Sequence, residues 1–171
     1  MIDPQDSHWM GEALKDARKA AALGEVPVGA VVVMEGEIVG RGHNLRESQN
    51  DPTAHAEMVA IREAASRLGR WRLGQCTLYV TLEPCPLCAG AIVNSRLDRI
   101  VVGASDQRAG AVRTVYQLCD DPKLNHRAEI TFGVEMAVCS EILSSFFAKR
   151  RAEKQALREE GAGDSSELKS E

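Results

Sequence analysis

The sequence has few aromatic residues, no long apolar run and little net charge, and each shortage argues against a class of protein. Phe, Trp and Tyr together make up only 4% of the chain, so the core must rest on Val, Leu, Ile and Ala. No apolar stretch approaches the roughly 20 residues that a transmembrane helix needs, so no membrane partner is expected. The net charge of −4 gives no general attraction to nucleic acid, and a polyanion would have to meet a local basic patch.

Neither the number of cysteines nor their sequence context indicates a disulfide framework. Five is an odd number, and residues 1–10 show no basic-then-apolar export signal. Without such a signal, cysteines are thiols or metal ligands more often than disulfides. We therefore expect a cytoplasmic protein. Cys76, Cys119 and Cys139 have no motif around them and are assigned no role.

The order of apolar patterns predicts an α/β layer fold with a central mixed sheet of about five strands. Ser7 and Thr53 are the predicted N-caps of the first two helices, and Glu35-Gly36 is the predicted turn of an opening hairpin. A domain is predicted at residues 1–155 and a charged, disordered Gly/Ser/Glu-rich tail at 156–171. The predicted helices lie at 7–23, 54–68, 86–94, 137–157 and, as a short piece, around 112–118; the predicted strands lie at 26–34, 37–42, 76–82, 97–102 and 128–132.

Two short motifs offer one imidazole, two thiols and a spare carboxylate. His55-Ala56-Glu57 lies in the first turn of one predicted helix, and Cys85 and Cys88, in the pattern P-C-x-x-C, lie at the start of another. The two cysteines are about one helical turn apart, so both sulfurs can point the same way, and a helix N-terminus favours thiolates. An imidazole and two thiolates can hold a tetrahedral zinc ion whose fourth position is open to water. Glu57 points elsewhere on an ideal helix and can move protons to and from that water.

Each motif has other interpretations when it is taken alone. A single CxxC is found in redox pairs and in zinc ribbons, but a ribbon needs a second CxxC, which this sequence lacks, and a redox pair needs no upstream His-x-Glu. A purely structural zinc ion would need a fourth ligand, for which Cys76, His43 or His126 are available. The combination favours metal-assisted hydrolysis.

These motifs together resemble the zinc-dependent nucleobase deaminases. Longer segments are similar to the bacterial tRNA-specific adenosine deaminases of the cytidine and deoxycytidylate deaminase superfamily, and the resemblance runs from about residue 7 to 151. It implies a three-layer α/β/α cytidine-deaminase-like fold and one zinc ion per subunit. The segments that carry it are 25–30, 50–57, 77–85, 88–91, 103–104 with 106, 125–127, 146–147 and 149–151.

The resemblance implies hydrolytic deamination of adenosine to inosine at the wobble position of a tRNA anticodon, by a homodimer that binds the anticodon stem-loop. In that scheme His55, Cys85 and Cys88 hold the zinc ion. Glu57 takes a proton from the zinc-bound water and delivers it to a ring nitrogen of the base.

Five further residues are expected to bind substrate by the same resemblance. Asn44 would hydrogen-bond the flipped nucleoside, and the backbone near Ala56 would hold the edge of the ring. Val28 and Leu82 would wall the pocket, although plain core positions at strand ends are an equally good interpretation. Asp106 would touch neighbouring anticodon nucleotides, or would simply form a turn.

The basic run Lys149, Arg150 and Arg151 is the local candidate for phosphate contact, and Phe147 could stack a base. In isolation such a run is usually the solvated face of a helix, and Phe147 could equally anchor the core. Two rival functions stay open: a small-molecule deaminase of the same fold, acting on guanine or cytosine, and a non-catalytic zinc module that binds RNA or another partner.

Overall fold

The computed structural model describes residues 3–167, with side chains described up to residue 160. Within that range the chain forms five helices and five strands. In chain order they are α1 Pro4–Ala22, β1 Gly29–Met34, β2 Glu37–His43, α2 Arg46–Gln49, α3 Ala56–Leu68, β3 Thr77–Leu82, α4 Pro86–Ser95, β4 Arg99–Ala104, β5 Glu129–Phe132 and α5 Met136–Glu167.

The strands form one mixed sheet in the order β2-β1-β3-β4-β5. β1 pairs antiparallel with both β2 and β3, whereas β3, β4 and β5 run parallel. The opening hairpin turns at Glu35-Gly36, as its sequence predicts. The prediction of a mixed sheet of about five strands is confirmed.

Helices cover both faces of the sheet, because alternate residues of a strand point to opposite faces. Val32 and Val80 belong to the core that packs against α3 and α4. Val31 and Tyr79 belong to a second core, which also contains residues of α1 and α5. The three-layer α/β/α prediction is therefore confirmed, and the core is aliphatic, as the shortage of aromatic residues requires.

The helix starts differ from those predicted. Asp3, not Ser7, caps α1, since its carboxylate accepts a hydrogen bond from the Gln5 N–H at 2.9 Å. Thr53 does not cap α3, because its N–H and hydroxyl both donate to the Asp51 carboxylate. His55 takes the N-cap position with an extended backbone.

Residues 112–118 form turns and not the short helix that was predicted. The N–H groups at the start of this segment donate to the Glu83 carboxylate, so a side chain takes the place of helical carbonyls. The helix α2, in contrast, lies between the predicted strand at 37–42 and the predicted helix at 54–68, where no helix was predicted.

The last helix is longer than its periodicity predicts. The apolar pattern gives an end at about residue 157, whereas α5 continues to Glu167 with exposed side chains from 147 to 160. The division into a domain at 1–155 and a disordered tail at 156–171 stays a prediction, and residues 168–171 lie outside the described part of the chain.

Between residues 3 and 167, none of the helices combines the length and the apolarity that a membrane crossing requires.

Gly42 lets α3 lie directly against β2. A Cβ atom at this position would be 2.1 Å from the Ala56 carbonyl oxygen and 2.7 Å from the Ala60 nitrogen. We expect Gly42→Ala to destabilise the protein by about 2 kcal/mol and to lower the melting temperature by roughly 4–8 °C. Gly11→Ala is the matched control, because a methyl group at that position of α1 has no atom within 4 Å. An unchanged melting temperature for Gly42→Ala would show that α3 does not lie this close to β2 at Gly42.

Candidate metal and substrate site

The fold brings the two motifs together at one edge of the sheet. β3 ends at Leu82 and leads through Glu83 and Pro84 into α4, so Cys85 stands at the N-cap of that helix. His55 stands at the N-cap of α3, which packs beside α4. Two helix N-termini therefore point at the same place, where their dipoles favour negatively charged groups.

The side chains of His55, Cys85 and Cys88 form one compact cluster. Their ligand atoms all lie within 4.8 Å of one another. His55 Nδ1 is 3.6 Å from Cys85 Sγ and 3.4 Å from Cys88 Sγ, and the two sulfurs are 3.9 Å apart. Among the described residues, this is the one group of three or more His, Cys, Asp or Glu side chains with metal-binding spacing.

These distances fit a tetrahedral zinc ion. With Zn–S bonds of about 2.3 Å and a Zn–N bond of about 2.0–2.1 Å, tetrahedral angles require S···N separations of about 3.6 Å and an S···S separation of about 3.8 Å. The observed edges match within about 0.2 Å, which is the tolerance expected of a genuine site. Two thiolates and one imidazole are also ligands that zinc prefers.

The sulfurs of Cys85 and Cys88 share one proton through a hydrogen bond. This hydrogen bond lowers the pKa of Cys85 to about 3 and, together with burial, raises the pKa of Cys88. A metal ion that binds both sulfurs displaces that proton.

The possible fourth ligands are elsewhere in the described structure. The metal-binding group has three members and includes neither Glu57 nor Cys76, His43 or His126. The ring of His126 contacts the Leu97 carbonyl oxygen at 2.6 Å instead. Three protein ligands leave the fourth tetrahedral position open, which is typical of catalytic zinc sites.

Glu57 is a buried carboxyl group beside the cluster. Only 4% of its surface is exposed, and burial raises its pKa to about 7. A carboxyl group with a pKa near neutrality can both take up and release a proton at physiological pH. Glu57 shares the lining of one cavity with His55 and Cys85.

That cavity, here called the substrate pocket, has a volume of about 240 Å³. It is smaller than the 300–1,000 Å³ usual for drug-sized ligands, so it suits a single nucleobase. All five residues predicted to bind substrate line it, together with residues of the metal cluster. The lining consists of Val26, Val28, Asn44, Arg46, His55, Ala56, Glu57, Leu82, Glu83, Cys85, Asp106 and Ala109.

The strand pairing explains why these residues meet. β1 runs antiparallel to β3, so Val28, just before β1, lies beside the end of β3 at Leu82. Asn44 follows β2 and is bonded to the segment before β1 through its N–H, which donates to the Val28 carbonyl, and its amide, which donates to Val26 O at 3.3 Å. Its side-chain oxygen accepts the Arg46 N–H at 3.2 Å.

Asp106 was predicted either to touch neighbouring anticodon nucleotides or simply to form a turn. Its carboxylate accepts the N–H groups of Arg108 and Ala109, at 2.9 and 3.3 Å, so it does form a turn. That turn lies on the wall of the substrate pocket. The roles of Asp106 and the other substrate residues stay predictions.

A second cavity of about 740 Å³, here called the outer cleft, adjoins the substrate pocket. The two share Val26, Arg46, Leu82, Asp106 and Ala109. The outer cleft also contains Phe147 and Arg151, which lie one helical turn apart on α5. Phe147 is 43% exposed and available for stacking.

The other two residues of the basic run face a different cavity. Lys149 and Arg150 line a cleft between α5 and the end of α1. Lys149 is 3.9 Å from the Glu153 carboxylate, and the guanidinium of Arg150 lies 5.5 Å from the centre of the Phe146 ring. The structure therefore places Arg151, but neither Lys149 nor Arg150, in the outer cleft beside the substrate pocket.

Three residues near the site received no role from the sequence. Arg46 and Arg108 line the outer cleft, and neither forms an ion pair within residues 3–160. Isolated arginines outside the predicted helices and strands give no periodic signal that would single them out. Glu83 precedes Pro84 and is 2% exposed; although burial raises its pKa, hydrogen bonds from the 106–114 segment lower it below the ordinary value.

The comparisons with known proteins agree with this geometry. The model of the MafB19-like deaminase family matches residues 4–151. The tRNA-specific adenosine deaminase of Bacillus subtilis is 51% identical over 154 residues, which is 90% of this chain and 96% of the relative. A solved structure from a study of A-to-I editing by tRNA:A34 deaminases at the wobble position of transfer RNA has a TM-score of 0.77 and 42% identity, over 80% of this chain and 99% of that one.

A guanine deaminase of Bacillus subtilis is also similar, with a TM-score of 0.57 and 32% identity over 88% of this chain and 95% of that chain. The fold is thus shared between deaminases of different substrates, as expected of a common scaffold. Identity is higher with the tRNA-acting relative, where half of the residues agree across nearly the full length of both proteins. The resemblance seen in the sequence is therefore confirmed: the chain belongs to the MafB19-like deaminases and, among them, to the family of tRNA-specific adenosine deaminases.

Proposed function

We propose that this protein converts adenosine to inosine by hydrolysis at the wobble position of a tRNA anticodon, with one zinc ion held by His55, Cys85 and Cys88. The observation that carries the proposal is the pairing of a zinc-sized cluster with a buried, proton-accepting Glu57 in a pocket of nucleobase size. Membership of the family supports the choice of substrate.

Zinc, when bound, would lower the pKa of a water molecule so that it can lose a proton near neutral pH and become a nucleophile for C6 of adenine. The chain's own residues handle the protons and the base. Glu57 accepts a proton from the attacking water and delivers it to the ring nitrogen. The second proton of that water goes to the departing amino group, so that water and adenosine become inosine and ammonia. A carboxyl group with a pKa near 7 suits this exchange, because neither protonation state is strongly favoured.

The remaining pocket residues orient the base. Val28 and Leu82 offer apolar surface for its faces, while the backbone at Ala56 and the Asn44 side chain offer polar groups at its edge. Glu25 holds α2, the helix that follows Asn44 in the chain: its carboxylate accepts hydrogen bonds from the N–H and hydroxyl of Ser48. A base must leave its stack to enter so small a cavity.

Substrate choice separates this proposal from the small-molecule alternative. The assay offers the zinc-loaded protein an anticodon stem-loop with adenosine at the wobble position, and in parallel free adenine, guanine and cytosine. We expect inosine in the stem-loop and little turnover of the free bases. Turnover of guanine without turnover of the stem-loop would make this protein a small-molecule deaminase.

We also propose that phosphates flanking the target nucleotide bind in the outer cleft. Arg46, Arg108 and Arg151 line it, and Phe147 presents an exposed ring to a neighbouring base. Because the net charge is negative, affinity for RNA must come from such a local group of arginines.

The two neighbours Arg150 and Arg151 provide a matched test of this arrangement. Arg151→Ala is expected to weaken stem-loop binding several-fold at low salt and to reduce the slope of log Kd against log salt concentration by about 1, since one phosphate contact is lost. Arg150→Ala removes the same charge from the other cleft and should change neither. Equal losses in both variants, measured by fluorescence anisotropy over a salt series, would contradict the assignment.

The resemblance further supports a cytoplasmic homodimer. Leu87, Val115 and Tyr116 are exposed apolar side chains, which subunit interfaces commonly cover. Light scattering of the zinc-loaded protein is expected to give twice the chain mass.

A further inference from the structure

The buried carboxylate of Glu83 organises the loop that follows β4. It accepts hydrogen bonds from the N–H groups of Asp106, Val112, Arg113 and Thr114 and from the Thr114 hydroxyl. Hydrogen bonds to a charged acceptor are stronger than neutral ones. A single side chain thus holds both ends of residues 106–114, here called the pocket loop.

The two oxygens of this carboxylate hold different parts of the pocket loop. Oε1 accepts the N–H groups of residues 112–114, at 2.8 to 3.2 Å. Oε2 accepts the Asp106 N–H at 3.0 Å and the Thr114 hydroxyl. The start of the loop, which lines the substrate pocket, therefore depends on Oε2.

The middle of the loop wraps tightly around the same carboxylate. A Cβ atom at Gly110 would lie 2.3 Å from Glu83 Oε2 and 2.6 Å from the Asp106 carbonyl oxygen, so a methyl group does not fit. The next residue, Ala111, donates its N–H to the Pro84 carbonyl at 2.8 Å. The loop is thereby attached to the two residues that precede the proposed zinc ligand Cys85.

The geometry points to Glu83 as a positioning residue: by holding the backbone at Asp106, it fixes the wall that the substrate pocket shares with the outer cleft, where the nucleotide next to the target adenosine would lie. Glu83 acts through Asp106 and not on the reacting atoms. The inference rests on the proposed function, because the neighbouring nucleotide belongs to the RNA substrate.

The substitution Glu83→Gln separates the two halves of the anchor. Glutamine keeps one oxygen, which can still accept the three N–H groups at 112–114. Its NH₂ group then faces the Asp106 N–H, where two donors meet and the bond is lost, while the Thr114 hydroxyl can turn and accept. We expect the fold and the zinc content to be retained, and the KM for the stem-loop to rise about ten-fold with kcat changed less than two-fold.

A double-mutant cycle tests whether Glu83 works through Asp106. If it does, Glu83→Gln should add little to the KM of an Asp106→Ala variant, because the side chain that it positions is already gone. Gly110→Ala keeps the carboxylate, but its added methyl group would collide with Glu83 Oε2 and push the loop away from it, so it should raise KM in the same way. Gly11→Ala, in open space on α1, should leave both constants unchanged. Additive effects in the cycle, or a loss confined to kcat, would overturn the inference.

Amide hydrogen exchange gives a reading that does not depend on activity. The Asp106 amide should exchange at least ten-fold faster in Glu83→Gln than in the wild type, while the amides at 112–114 remain protected. Unchanged exchange at Asp106 would overturn the role of Glu83 even if the enzyme is active. If the wild type makes no inosine, the proposed function fails, and the exchange measurement still decides the positioning. Should Glu83→Gln not fold, the same readings on Gly110→Ala decide it.

Discussion

Replacing Glu57 with alanine is expected to lower kcat for inosine formation by about 10²–10⁴-fold, with zinc bound and the fold intact. Glu57 is buried beside the cluster but is not one of its three members. Its loss removes proton transfer and leaves the metal ligands in place. The rate is measured on the stem-loop at saturating concentration, with zinc content and circular dichroism determined on the same sample.

Two further variants exclude a general effect of the substitution. Glu57→Gln keeps the shape of the side chain but cannot take up the proton, so it should be about as slow as the alanine variant. Glu63→Ala, an exposed position on the same helix, should be close to the wild type. Unchanged turnover in either Glu57 variant would remove this residue from the mechanism.

Cys88→Ala should abolish zinc binding and, with it, the part of the stability that zinc provides. The sulfur of Cys88 lies within 3.9 Å of both other ligand atoms, so its loss leaves two ligands. Free zinc at a thousand times its Kd stabilises the wild type by about 4 kcal/mol, or roughly 8–16 °C in melting temperature for a protein of this size. We expect that zinc-dependent shift to vanish in the variant.

Cys139→Ala is the matched control, because its sulfur is equally buried but lies in the second core, away from the cluster. It should lose some stability through the cavity that it creates, while the zinc-dependent shift and the zinc content remain. Melting curves with and without added zinc, and metal analysis after dialysis, make the comparison. Full zinc occupancy in Cys88→Ala would mean that the ligand set is wrong.

The sequence predicts most of the site because its residues lie in short motifs at helix starts. Cys85 and Cys88 are three residues apart at the start of a helix, so they lie within one helical turn whatever the surrounding fold is. The apolar patterns predict the strands of the sheet equally well, since a β-branched run such as Val31 to Val33 favours a strand over a helix. Local patterns of this kind can be interpreted from the sequence because they depend on residues that are neighbours in the chain.

What the sequence could not predict depends on partners far away along the chain. Glu83 and the 112–114 amides are about 30 residues apart, and their hydrogen bonds replace a predicted helix by turns. The basic run shows the same limit: successive residues on a helix point about 100° apart, so Arg150 and Arg151 face different clefts. Only the packing of α5 against the domain decides which of them faces the outer cleft.

The proposed deamination depends on a zinc ion with three protein ligands, an open fourth position and Glu57 within reach of it. Anomalous diffraction at the zinc edge, from crystals of the zinc-loaded protein, tests this most directly. We predict one zinc ion per chain, bonded to His55 Nδ1, Cys85 Sγ and Cys88 Sγ, with a water molecule as the fourth ligand and a Glu57 oxygen within hydrogen-bonding distance of that water. A fourth protein atom on the metal, or a Glu57 carboxylate turned away from the water, would contradict the account.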